Sequence, residues 1–538
     1  MYAREVFSDD EAAKLRPYFT NLDQPVFALT NLPEVVKGAL FARYSRSDKS
    51  LRRLFLDEFV PDLDLTGDLT VDATVGLRRA EELYDRVFLE YGDDSVAQLG
   101  GVHLACEQAS NLLTKVLEWG RLMSYLEQST RYIPYDSRIE GRYRYHRPAG
   151  IVGSRLGARY VAEIDGLFDT YRSLLPTLAD WARARYPKDN AVSDFVYKQT
   201  IRAKACDSVR GVLPAATLSN VGIYGTGQAF EALLLRMRAN PLPEARAYAT
   251  DMLRELRKVI PSFLTRVDRP DRGGAWIEYL ERTQHHTAEL VTTMFDPARS
   301  DQREPGVRGP SVRLVDFDPD GEDKVLGAIA FAHSHRTEAE IVHAVKYLGA
   351  DERAALMASY VGERANRRHK PGRAFERTGY RFEIVGDYGA FRDLQRHRML
   401  TIEWQALTPN LGYDVPEAVA EAGVTSAFDE AMQRSGELFD ALAPEHPSEA
   451  AYGVALAYRL RYVMQMNARE AMHLIELRSA PAGHPSYRVI AQDMHRQIAE
   501  VAGHRMIAAA MRHADHHTYE LERLESERAA ERRRLANG

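Results

Sequence analysis

The sequence predicts a helix-rich α+β protein made of two tandem, diverged copies of one domain. Three observations predict it. Residues 211–254 match 453–496 without a gap, with 14 identities in 44 positions, where average composition gives roughly 6% by chance. A short β-prone run stands at a corresponding place in each half. A segment dense in Pro, Gly and charge, Phe295 to Asp323, separates them.

The repeat is carried by Gly211, Val212, Ala215, Leu218, Val221, Ala229, Leu235, Arg236, Pro243, Arg246, Ala249, Asp251, Met252 and Arg254, each identical 242 positions later. Near the start of each copy, Gly38–Ser45 resembles Gly327–Ser334. Within a copy the same order recurs: an early helical stretch, a β-prone run, a long helix entering a motif, then paired helices. In copy two the run is Tyr380–Val385, alternating ring and aliphatic residues with charge as a half-buried strand does; in copy one it is Val102–Glu107. The expected organisation is copy one over 1–294, a linker over 295–323 and copy two over 324–538. The Arg-, Glu- and His-rich stretch from Ala508 to Asn537 reads as an exposed, fraying helix.

Composition narrows the function. At 538 residues the chain exceeds one ordinary core and suits two or three domains. With 71 Lys+Arg against 77 Asp+Glu the formal charge is −6, so no global positive field draws in nucleic acid. The charged start and the absence of an apolar run near ~20 residues lead to the expectation of a cytoplasmic protein with no membrane partner. Cys106 and Cys206 lack metal-ligand spacing and read as packing residues in helix-like stretches. His285–His286 and the cluster His513, His516, His517 read as polar helix, so no metal site is expected. The basic run Arg367–Lys370 reads as a solvated loop or a phosphate contact.

Two segments carry the chemistry. In copy two, Arg396, His397 and Arg398 follow a helical stretch, and on a helix three successive side chains point about 100° apart. One face cannot bury all three, so an internal helix would need an anion or a partner subunit for at least one. In copy one the corresponding segment begins Trp119-Gly120-Arg121. Further on, Glu127, Ser129 and Arg131 alternate at spacing two and would share one side of an extended segment, suited to a polar anionic ligand.

Together these segments resemble the flavin-dependent thymidylate synthases, whose motif is R-H-R-x-x-S-x-N-E-x-S-x-R-Y. Copy two keeps Arg396, His397 and Arg398 but has Thr401, Glu403, Trp404, Ala406 and Thr408 where the family has Ser, Asn, Glu, Ser and Arg. Copy one has Trp119, Gly120 and Leu126 at three positions and keeps Arg121, Ser124, Glu127, Ser129, Arg131 and Tyr132. A second family signature, N-x-R followed by L-R, matches Asn467, Arg469, Leu477 and Arg478; in copy one Arg236 alone of the polar positions survives, with Gly225 and Gly227 at the first two. The family's Arg before V-L-P matches Arg210.

The resemblance implies reductive methylation of dUMP to dTMP, with methylenetetrahydrofolate as carbon donor and FAD reduced by NADPH as hydride source. It implies Ser124, Glu127, Gln128, Ser129, Arg131, Arg210 and Arg478 on the nucleotide, and Arg396, His397, Arg398, Asn467 and Arg469 on the flavin, with no covalent nucleophile. Losses in the two copies are complementary, which favours a retained composite function over decay. The family is homotetrameric, so the fused chain is expected to form a homodimer with four domains, a pseudo-tetramer. Two other readings share the fold: a flavin enzyme acting on another pyrimidine nucleotide, and a non-catalytic nucleotide-binding or structural paralogue.

Overall fold

A computed structural model describes residues 4–31, 44, 47–58, 60, 101–295 and 310–537. The mixed α+β class holds, and the duplication is written in the sheets. The first sheet contains β1 (Val26–Ala28), β2 (Gly101–Ser110), β3 (Met123–Glu127) and β4 (Leu218–Thr226) in the order β1-β2-β4-β3. The second contains β5 (Ser311–Phe317), β6 (Gly379–Asp387), β7 (Leu400–Trp404) and β8 (Arg459–Asn467) in the order β5-β6-β8-β7. All pairings are antiparallel, and both sheets bring the last strand in sequence between the second and the third. The runs expected at 102–107 and 380–385 lie inside β2 and β6.

Ring and aliphatic residues alternate with charge in β6, β2 is buried almost throughout, and β2, β4, β6 and β8 each end on a short polar side chain that caps a helix. Ser110 closes β2 and accepts from the Leu113 amide; Asp387 closes β6 and accepts from the Ala390 amide. Thr226 at the end of β4 and Asn467 at the end of β8 do the same for Ala229 and Glu470. Each such cap contributes about 1 kcal/mol to its helix start. Gly101 pairs with Thr226, and Gly379 with Asn467. The structural counterpart of Asn467 is therefore Thr226, one residue from the Gly225 of the ungapped match. The helix Gly227–Arg238 is one residue longer than Ala468–Arg478, and the connection to Pro485 is two residues longer than the one to Pro243, which restores the 242-residue offset.

Two compact units emerge, and neither coincides with one contiguous half. One holds residues 1–169, 213–302 and 434–454; the other holds 170–212, 303–433 and 455–538. Each copy thus supplies a segment to the other unit. In the first unit, Val102, Leu104, Met123, Val221, Ile223, Phe230, Leu234, Met252 and Leu256 form the core between the sheet and the helices Gly227–Arg238 and Pro243–Leu256. In the second, Phe382, Ile384, Phe391, Tyr462, Met464, Ile475 and Ile490 are buried in the corresponding positions.

Several expectations are corrected. Of the segment expected as a linker, 296–309 lie outside the described residues, but Ser311–Phe317 is a sheet strand and a helix starts at Gly321. Most of Gly38–Ser45 also lies outside them. Cys106 is in β2, not a helix, while Cys206 is helical; both are buried, and burial pushes the Cys206 thiol up to about 12. The C-terminal stretch is not one fraying helix: Arg505–Ala510 and Leu524–Asn537 are separate. Buried Glu522 and Arg523 tie the second of these to Lys204 and Asp207 of the helix Asp194–Val209. No helix among the described residues is long and apolar enough to cross a membrane.

Candidate functional site

The charged cluster of the second unit grows from the end of β6. Asp387 caps the seven-residue helix Tyr388–Leu394, whose last turn carries Asp393. A carboxylate there opposes the helix dipole, and it is held by cations. Arg396 Nη2 lies 2.5 Å from Asp393 Oδ1 and Arg478 Nη1 lies 3.3 Å from the same oxygen. Arg478 Nη2 also donates to the Asp393 carbonyl. Arg210, in the short 3₁₀ turn after Asp194–Val209, places Nη1 3.9 Å from Asp393 Oδ2. Three guanidinium groups thus converge on one carboxylate in a largely buried setting, with side-chain exposures of 5% for Arg210, 28% for Arg396 and 13% for Arg478.

Behind Arg478 lies a relay the motif reading missed. His397 Nδ1 stands 2.9 Å from Glu470 Oε1, and Arg478 Nε donates to His397 Nε2 at 3.0 Å. Arginine can only donate, so Nε2 is the acceptor and Nδ1 carries the proton given to Glu470. Burial first, then the charge of Arg478, holds His397 far below the usual imidazole range. Burial pushes the Glu470 carboxyl up to about 7, against the pull of Lys370, Arg398 and Arg469. His473, one turn beyond Glu470, is lowered to about 4 by burial and by Lys370, whose Nζ is 2.6 Å from His473 Nδ1. Lys370 of the basic run therefore turns inward, while Arg368 and His369 are exposed.

His397, Glu470 and His473 offer three ligand atoms within 4.8 Å of one another, yet the donor set suits a hydrogen-bond relay rather than a divalent ion. A metal on His397 Nδ1 would leave its Nε2 protonated and facing the Arg478 N–H. Metal-bound histidines instead pass their second N–H to an acceptor.

The structure rearranges several expected roles. Arg396, His397 and Arg398 do not lie on a helix: the helix ends at Leu394, and the triplet forms the turn into β7. Arg398 is exposed. Asn467 is not on the face of the following helix but caps it, its side-chain oxygen accepting from the Glu470 amide at 2.9 Å. Arg469 reaches the Pro371 carbonyl and Glu376. Arg210 and Arg478, expected on the nucleotide, join Arg396, expected on the flavin, around Asp393, and His397, also expected on the flavin, meets Arg478.

In the first unit, the side-by-side projection of Glu127, Ser129 and Arg131 does not occur, because β3 stops at Glu127. Ser129 opens a turn, its carbonyl accepting from the Ile133 amide and its hydroxyl from the Arg131 amide. Glu127 is buried 3.5 Å from Lys115, which also pairs with Glu118 at 2.5 Å. Gln128 is buried and donates to the Ser47 carbonyl. Ser124 is exposed on β3, Arg131 is buried and Tyr132 exposed.

The first unit also shows what the charged cluster becomes when its parts are replaced. The helices Asn111–Leu117 and Tyr388–Leu394 start at equivalent caps, so Val116 stands where Asp393 does, and Trp119 and Gly120 stand for Arg396 and His397. Arg236 survives as the counterpart of Arg478, and its guanidinium carbon is 5.2 Å from the Trp119 ring centroid. Tyr125 Oη donates to the Gly120 carbonyl, and a Cβ at Gly120 would lie 2.6 Å from the Tyr125 hydroxyl oxygen. Tyr452, counterpart of Arg210, donates to Glu244 at 2.6 Å. Glu244 also accepts from the hydroxyl of the cap Ser110, whereas cap Asp387 pairs with Ser486 at the corresponding helix start. The acid and the hydroxyl have traded places between copies.

Comparison with known proteins is consistent with this doubled architecture. The chain matches the family described as thymidylate synthase complementing protein over residues 46–262 and again over 313–503. A UPF0159 protein of Chlamydia muridarum is 39% identical over 525 residues, covering 97% of this chain and 98% of its own. A UPF0159 protein of Thermoplasma acidophilum is 31% identical over 518 residues, covering 91% and 97%. A solved structure of the UMP/dUMP methylase PolB from Streptomyces cacaoi bound with 5-Br dUMP is similar at 18% identity and a TM-score of 0.32, covering 38% of this chain and 96% of that one. With one match in each half, the chain belongs to the thymidylate synthase complementing protein family.

Proposed function

We propose that this protein reductively methylates the pyrimidine of dUMP to give dTMP, using methylenetetrahydrofolate as carbon donor and FAD with NADPH as reductant. The observation that carries the reading is the convergence of Arg210, Arg396 and Arg478 around Asp393. Such a cluster binds phosphate and polarises a pyrimidine carbonyl without a nucleophilic cysteine. Both thiols are buried, and burial raises them, so neither is poised to attack.

The donor set also fits a flavin dinucleotide. Arg396, exposed Arg398 and half-exposed Arg469 supply cationic donors for a diphosphate, with Lys370 beside them. When bound, the flavin supplies the hydride. Arg210 and Arg478 hold the nucleotide, and His397 keeps Arg478 oriented. Ser124, Ser129 and Arg131 contribute hydroxyl and guanidinium groups to nucleotide binding. The working assembly is a homodimer, and light scattering giving the mass of a single chain would contradict that part.

The deciding measurement is dUMP-dependent release of tritium from C5 of labelled dUMP by purified protein reconstituted with FAD. Release that requires methylenetetrahydrofolate for dTMP formation is expected. Protein that stays colourless after incubation with FAD and releases no tritium overturns the reading in favour of a non-catalytic paralogue. A flavoprotein that ignores dUMP but acts on another pyrimidine nucleotide would keep the cofactor and change the substrate.

A further inference from the structure

Asp393 belongs to none of the motif positions, yet it is the centre of the charged cluster. Its Oδ1 is shared by Arg396 at 2.5 Å and Arg478 at 3.3 Å, and its Oδ2 faces Arg210 at 3.9 Å. It occupies the last helical turn before Gln395, where a carboxylate is disfavoured unless cations compensate it. Where the first unit has lost the counterparts of Arg210 and Arg396, to Tyr452 and Trp119, the position holds apolar Val116. The carboxylate is lost together with two of the three guanidinium groups, while Arg236 stays as the counterpart of Arg478.

The cluster nevertheless carries more positive than negative charge. Arg478 is also tied to the Asp393 carbonyl and to His397, so it keeps its place without the Asp393 side chain. Arg396 is held at the side-chain carboxylate by a bond that a stronger anion can take over.

We propose that Asp393 is a resident counter-ion: a positioning residue that keeps the three guanidinium groups convergent and that a phosphate group displaces from Arg396 and Arg210 on binding. This rests on the reading of the cluster as an anion site. A nucleotide monophosphate and the diphosphate of a flavin dinucleotide share the required chemistry, and separate titrations distinguish them. Because the resident carboxylate competes with the ligand, removing its charge tightens anion binding instead of abolishing it, at the expense of the ligand-free fold.

The test is calorimetric titration of the full-length protein and of Asp393→Asn with inorganic phosphate, dUMP and FAD in separate arms, alongside thermal melting with and without phosphate. Asp393→Asn is expected to bind phosphate about tenfold more tightly, since a like charge a few ångströms away is removed. It should melt lower than wild type without ligand and recover in phosphate. Tightening for dUMP alone assigns the displaced contact to the nucleotide, and for FAD alone to the flavin. Asp393→Glu restores the charge and should return both affinity and melting toward wild type. Phosphate binding unchanged or weaker in folded Asp393→Asn overturns the proposal, as does an Asp393→Glu protein that behaves like Asp393→Asn. If Asp393→Asn can be isolated only in phosphate, dialysis into chloride should unfold it; equal instability in both buffers overturns the proposal. The phosphate arm reads no turnover, so absence of tritium release would remove the proposed reaction and leave this result standing.

Discussion

Replacing Glu470 by Gln removes one titrating group from the relay and should change how stability depends on pH. Glu470 rises from an ordinary 4.5 to about 7 because burial penalises the carboxylate more than Lys370, Arg398 and Arg469 favour it. An acid with a raised value binds its proton more tightly in the folded state. Its penalty is absent below 4.5, grows as pH rises towards 7 and is constant above. With 1.36 kcal/mol per unit, the penalty is about 1 kcal/mol at pH 5.5 and about 3 kcal/mol at pH 8.5, a change of about 2 kcal/mol. His473, lowered to about 4, adds an opposite term that is lost as pH rises through 6.5; it is common to both proteins and cancels in their difference. Urea unfolding of wild type and Glu470→Gln at the two pH values measures that difference. The variant should gain about 2 kcal/mol relative to wild type on going from pH 5.5 to 8.5. Parallel curves would refute the assignment of Glu470 as a buried acid titrating near neutrality.

Other perturbations test the remaining parts. Arg364 and Glu476 form a bidentate ion pair at 2.6 Å with 1% side-chain exposure each. Glu476→Gln should therefore cost about 3–5 kcal/mol in urea unfolding, and a paired apolar replacement should recover most of it. Arg478→Lys loses the donation to His397 and the double grip on Asp393. dUMP affinity should fall on the order of 100-fold by calorimetry with the circular dichroism spectrum unchanged. Trp119→Ala removes a ring from the first unit's counterpart cluster, where only Arg236 remains, so tritium release should stay within about twofold of wild type.

The repeat and the two strand runs were legible because they rest on local patterns. Alternation of ring and aliphatic residues with charge marks β6, β2 follows from its corresponding place in the repeat, and Ser110, Asp387, Thr226 and Asn467 are the short polar residues that start helices. The arginines and His397 were legible through family motifs. Asp393 was less so: a lone acid three residues before Arg396 reads as an ordinary surface pair on a helix. Only the approach of Arg210 and Arg478, 183 positions before it and 85 after, gives it a role. Glu470 and His473 were hidden for a similar reason. Their spacing of three on one helix is common, and their significance comes from His397 and Lys370 reaching them from elsewhere in the chain.

Sequence alone determined that the chain is doubled, that each copy mixes helix with a small sheet, and which copy kept which motif residues, since these follow from side-chain identity and short-range periodicity. Only the tertiary structure decided that the compact units exchange segments between copies and that Glu127, Gln128 and Asn467 have partners within the fold. It also decided that residues expected on two different ligands meet at one carboxylate. The physical reason is that partners of buried charges are chosen by long-range packing, where desolvation makes an uncompensated charge costly, and no local pattern records which distant residue will supply the compensation.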